Sequence, residues 1–89
     1  MKRSEVLEAA KVCVCGNRER DYGQPENNFG TIADFWSAYL HHPVRARDVA
    51  AMLALLKIAR ISNGKPKDDN WIDLAGYAAC GGEIDTGIQ

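Results

Sequence analysis

The stretch Asp48-Val49-Ala50-Ala51-Met52-Leu53-Ala54-Leu55-Leu56 constrains this chain more than any other. It is apolar nearly all round after Asp48, and Asn63-Gly64 followed by Pro66 closes it with the usual stop pattern for a helix. A helix with no polar face belongs at the centre of a structure, covered on several sides. Yet it carries Lys57 and Arg60 three residues apart, on a face shared with Ala50, Leu53, Ala54 and Ile61. Two cations in such surroundings lose hydration and repel each other, so something anionic should face them.

The turn Gly64-Lys65-Pro66 is short, so the helix after it should return antiparallel. Counting outward from that turn brings Lys57 level with Asp73, and Arg60 near Asp69 or Asn70. Asp69, Asp73 and Tyr77 are spaced four apart and share one face. The expected result is a strip of Lys57, Arg60, Asp69, Asp73 and Tyr77 between two helices. One reading makes it a structural ion-pair network. The other makes it the border of a site, with Lys57 and Arg60 holding a phosphate or carboxylate. Asp69 and Asp73 would then be available to ligate a magnesium ion, which takes one or two carboxylates plus substrate oxygens.

The other segments are helical too. A first helix is expected over 4–16, capped by Ser4, with Val6, Leu7, Ala10, Cys13 and Val14 as its apolar stripe. A second is expected over 28–41, with Phe29, Ile32, Ala33, Trp36, Tyr39 and Leu40 on one face and Phe35 off it. The third spans 46–62. The fourth spans 69–81 and dissolves at Gly81-Gly82. No strand pattern intervenes, so residues 1–89 read as a single all-α domain, a bundle of about four helices. A domain of 89 residues buries a modest share of its surface, and Phe35 is placed to meet a partner, so a homo-oligomer is expected.

Charge excludes several classes of function. Eleven basic against twelve acidic residues, interspersed, leave no footprint for a nucleic-acid backbone and no polybasic membrane patch. Glu8 and Lys11 interrupt any signal-peptide core near the start, and three cysteines make an odd count. Both observations point to reduced thiols in a cytoplasm. Cys13 and Cys15 lack the two-residue spacing of paired zinc ligands, and a buried structural thiol is the better reading of Cys13. The segment Arg18-Glu19-Arg20-Asp21-Tyr22-Gly23 is polar, ends in a breaker, and supplies a second candidate site wall through Arg20, Asp21 and Tyr22.

Three segments together resemble a known family. They are Arg20-Asp21-Tyr22-Gly23 with Pro25 and Asn28-Phe29, then Asp48-Val49-Ala50 through Lys57-Ile58-Ala59-Arg60-Ile61, then Asp69-Asn70-Trp71-Ile72-Asp73 with Gly76-Tyr77-Ala78. Over residues 18–83 the chain resembles an uncharacterised family of small phage and prophage proteins. A looser likeness is to phage nucleotide-modification-associated domains, and beyond them to the MazG-like all-α nucleotide pyrophosphatases. The resemblance implies a host-cytoplasmic helical protein that binds a nucleotide or other phosphorylated small molecule. For that role the charged strip and the loop supply phosphate contacts from Arg20, Lys57 and Arg60, magnesium on Asp69 and Asp73, and base or sugar contacts from Tyr22 or Tyr77. The paired glutamate motifs of the pyrophosphatases are absent, which leaves enzyme and binder both open. The competing expectation is an interaction or structural protein with no small-molecule site.

Overall fold

The computed structural model describes residues 1–17 and 24–87. Among the described residues four α-helices follow one another: α1 (Arg3–Val12), α2 (Pro25–Leu40), α3 (Ala46–Asn63) and α4 (Asp68–Thr86). A π-helical turn, Cys13–Asn17, prolongs α1. Among the described residues there is no strand. The all-α expectation holds, and three of its boundaries move for identifiable reasons.

The first helix starts one residue early, with Lys2 rather than Ser4 at the cap position, because the Glu5 carboxylate reaches back and accepts from the Lys2 backbone N–H at 2.7 Å. The second starts at Pro25 instead of Asn28. Proline at the first helical position loses nothing, since that N–H has no intrahelical acceptor anyway and the ring presets φ. The fourth does not dissolve at Gly81-Gly82 but continues to Thr86. Three contacts hold it. A Cβ on Gly81 would lie 3.0 Å from the Ala50 Cβ, so the bare glycine lets α3 and α4 approach closely. Ile84 packs against the core, and Asp85 accepts from Arg47 at 2.7 Å. Gly87, at φ 62°, ends the helix in the left-handed conformation that glycine adopts freely.

The α3–α4 interface is the most extensive in the molecule. Its contacts run in opposite senses: Lys57 meets Asp73, Ala50 meets Gly81, and Arg47 meets Asp85. The pair is therefore antiparallel, as the short turn requires. Helix α1 packs on α4, and α2 packs on α3. Where these layers meet lie Phe29, Ala33, Val49, Ala50 and Cys80, flanked by Val14, Ile32, Trp36, Leu53 and Tyr77. Ser37 fastens the corner between α2 and α3. Its hydroxyl accepts from the Val44 N–H at 2.7 Å and donates to the Val44 carbonyl at 3.1 Å. His41 there takes φ 52°, which closes α2 without a glycine.

Burial departs from the sequence expectation on two helices. Helix α3 is central, but Met52, Leu55, Leu56 and Ile58 are exposed rather than covered. On α2, Tyr39 and Leu40 leave the apolar stripe and face solvent, with Tyr39 85% and Phe35 72% exposed. Four helices of this length supply too few layers to cover a helix that is apolar all round. Of the thiols, Cys13 and Cys15 are exposed and Cys80 is buried, which reverses the expectation for Cys13. Among the described residues no helix is long and apolar enough to cross a membrane.

Candidate functional site

At its C-terminus α3 is closed by the Gly64 N–H, which donates to the Arg60 carbonyl at 2.9 Å. The Cβ that Gly64 lacks would also stand 2.9 Å from that oxygen, so the turn can fold this tightly only with glycine here. Lys65, Pro66 and Lys67 then lead straight into α4. This compact turn opens a cleft of about 600 Å³ between the end of α3 and the start of α4. Lys57, Arg60, Asn63, Gly64, Lys65, Lys67, Asp69, Asn70 and Asp73 line it.

Lys57 stands at the inner wall. It is only 8% exposed, and its Nζ lies 2.8 Å from Asp73 Oδ2. The pairing is the one that counting from the turn requires, and it neutralises an ammonium that burial would otherwise penalise. Asn70 is the other buried polar side chain of the cleft, at 7% exposure. Its backbone N–H reaches the Lys67 carbonyl at 3.3 Å. Arg60 lines the same cleft as Asp69 and Asn70 but forms no ion pair with either. Lys65 and Lys67 likewise have no carboxylate partner among the described residues.

The structure thus brings together Lys57, Arg60, Asp69 and Asp73 of the expected strip and separates Tyr77 from them. Tyr77 lines a different cleft of about 420 Å³ further along the pair, with Arg47, Asp48, Ala50, Ala54, Gly81 and Asp85, and packs on the core. One more turn of α4 carries Tyr77 past the charged end and against the core. Arg20, Asp21 and Tyr22 lie outside the described residues. Lys65 and Lys67 were not among the residues singled out from sequence. Their signal was legible, since a short turn between antiparallel helices must display whatever cations it contains at the mouth between them.

Asp69 and Asp73 fit a magnesium ion poorly. They sit one turn apart, but Asp73 already accepts from Lys57, so a dication on its carboxylate would stand beside a buried ammonium. Among the described residues no group of three or more His, Cys, Asp or Glu side chains comes together to hold a metal.

Electrostatics at the opposite end are self-contained. The Arg45 N–H donates to Asp48 Oδ2 at 2.9 Å, and this hydrogen bond, against some burial, holds the Asp48 carboxyl below its ordinary value. The Arg45 side chain adds a longer contact at 3.4 Å. The hydrogen bond to Asp85 pushes the Arg47 guanidinium up.

Comparison with known proteins adds lineage. The chain is 40% identical over 75 residues to the Gene 55 protein of Mycobacterium phage D29, covering 84% of this chain and 50% of that protein. It is 39% identical over 74 residues to the Gene 55 protein of Mycobacterium phage L5, covering 82% and 47% respectively. The chain thus spans about half the length of the curated relatives it matches. No solved structure matches it. The model of a domain of unknown function, DUF6378, matches residues 5–85, so helices α1 to α4 are all but entirely within it, and the chain belongs to that family.

Proposed function

We propose that the cleft at the α3–α4 turn binds a nucleotide or other phosphorylated small molecule. The observation that carries this reading is the charge left over there. Arg60, Lys65 and Lys67 surround the cleft without a carboxylate partner among the described residues, beside a buried lysine and a buried amide. Cations gathered without anions repel one another, and an anionic ligand relieves that repulsion. Arg60 offers a planar fork for phosphate oxygens, and the two lysines act as point charges. The phage origin of the Gene 55 relatives is consistent with work in a host cytoplasm.

Thermal unfolding against a panel of nucleotides and sugar phosphates tests the proposal. A ligand that binds only the folded chain raises Tm, by about 2.7 kcal/mol of stabilisation at a hundredfold excess over Kd. Arg60→Ala and Lys67→Ala should erase the shift with helical content unchanged. A flat panel with the chain well folded rejects the reading. If a shift appears, incubation with labelled triphosphate separates the two outcomes: phosphate or pyrophosphate release means an enzyme, and an unchanged nucleotide means a binder.

A second reading, self-association, rests on a different observation. Phe35 and Tyr39 share an exposed face of α2, and Met52, Leu55 and Leu56 share one of α3. Sedimentation equilibrium should show a concentration-dependent rise in mass. A constant monomer mass into the high micromolar range rejects it.

A further inference from the structure

Resting on the phosphate-binding reading of the turn cleft, we propose that its ligand is taken as the metal-free anion, with Asp73 positioning Lys57 instead of holding magnesium. Phosphorylated ligands in solution often travel with magnesium, and whether the cleft accepts that form is set by which charges are already satisfied.

Three observations decide it. Asp73 Oδ2 is engaged at 2.8 Å by an ammonium that is itself buried. A dication on that oxygen would have to displace Lys57 or stand within a few ångströms of its buried ammonium, and like charges at that distance repel. That leaves Asp69 as the remaining carboxylate of the lining. Next, among the described residues the lining holds four cations (Lys57, Arg60, Lys65, Lys67) against two carboxylates, a surplus of two positive charges. That surplus attracts a bare nucleotide phosphate chain more strongly than its magnesium complex, because the metal removes two of the ligand's negative charges. Finally, Asn70, a residue only 7% exposed, lines the cleft and brings its amide to it. Its N–H donors suit a bare phosphate oxygen, and the open first turn of α4 adds backbone N–H groups nearby.

The experiment is isothermal titration calorimetry of the full chain with ATP, once in EDTA and once in excess magnesium. Tighter binding in EDTA, by about tenfold, is the expected result, the factor that about 1.4 kcal/mol of lost charge attraction gives. Asp73→Asn, checked for helical content, should keep or improve the affinity in EDTA, because Lys57 gains freedom to reach the ligand. Arg60→Gln should weaken it. Equal or tighter binding in magnesium overturns the inference, and so does an Asp73→Asn chain whose binding is lost only in magnesium. Either result leaves the phosphate-binding reading standing. No binding in either buffer removes both.

Discussion

At the far end of the α3–α4 pair, Arg47 and Asp85 meet at 2.7 Å, Arg45 and Asp48 at 3.4 Å, and Gly81 lets Ala50 in close. At the turn end Lys57 and Asp73 satisfy each other, and Arg60, Lys65 and Lys67 are left over. Both ends are built from the same residue types on the same two helices. At one end small residues bring the backbones together and each cation finds a carboxylate. At the other, the tight turn displays cations at its mouth that find no carboxylate among the described residues. Pairing of the cations, more than the presence of a cleft, distinguishes one end from the other.

The largest effect is expected where the helices touch. Gly81→Leu should drive a side chain into Ala50 and cost about 2–3 kcal/mol in urea unfolding, as overpacking does. Gly82 has nothing near it, so Gly82→Ala should instead stabilise by about 0.5–1 kcal/mol through helix propensity. If both substitutions behave alike, the far end is not closely packed and the contrast fails.

A smaller loss is expected at the turn end. Asp73→Ala strands a buried Lys57, but Asp73 itself is 39% exposed and water screens the pair. The cost should therefore be about 1–2 kcal/mol, short of the ~3–5 kcal/mol of a fully buried pair. A loss under about 0.5 kcal/mol would make the pair no better than a surface bridge. The companion test is Lys65→Ala, which should change stability by less than about 0.5 kcal/mol, since Lys65 has no partner among the described residues.

The smallest effect is an acid titration. Asp48 has its carboxyl held below the ordinary value by the Arg45 N–H, so it binds a proton more weakly folded than unfolded. Its contribution is present above about pH 4 and is lost as pH falls through the folded value. Tm followed from neutral pH downward should fall less steeply for Asp48→Ala than for the wild type. Identical slopes would mean that the cap at α3 adds nothing.

The fold was largely legible because helix periodicity and breakers are local signals. The Lys57–Asp73 pair was legible because a short turn fixes the register of two helices and distance can be counted from it. Counting failed at Tyr77, which packs against the core, a tertiary contact with no local signature. It failed again at Gly81-Gly82, read as a stop because glycine disfavours helices, when glycine was what allowed the packing that carries the helix on. Tyr39 and Leu40 have the right spacing for the stripe, but nothing lies opposite them to cover it. Spacing states which residues share a face, and only packing states whether that face is covered.

The unequal placement of the three thiols supplies a clock for the molecule's opening. Cys13 and Cys15 stand at the surface beside α1, while Cys80 is sealed in the core on α4. A thiol reagent added to the native chain should label two sulfurs at once and the third only when the core is breached. The lag of that third reaction reports how often the bundle breathes, without introducing any probe into it.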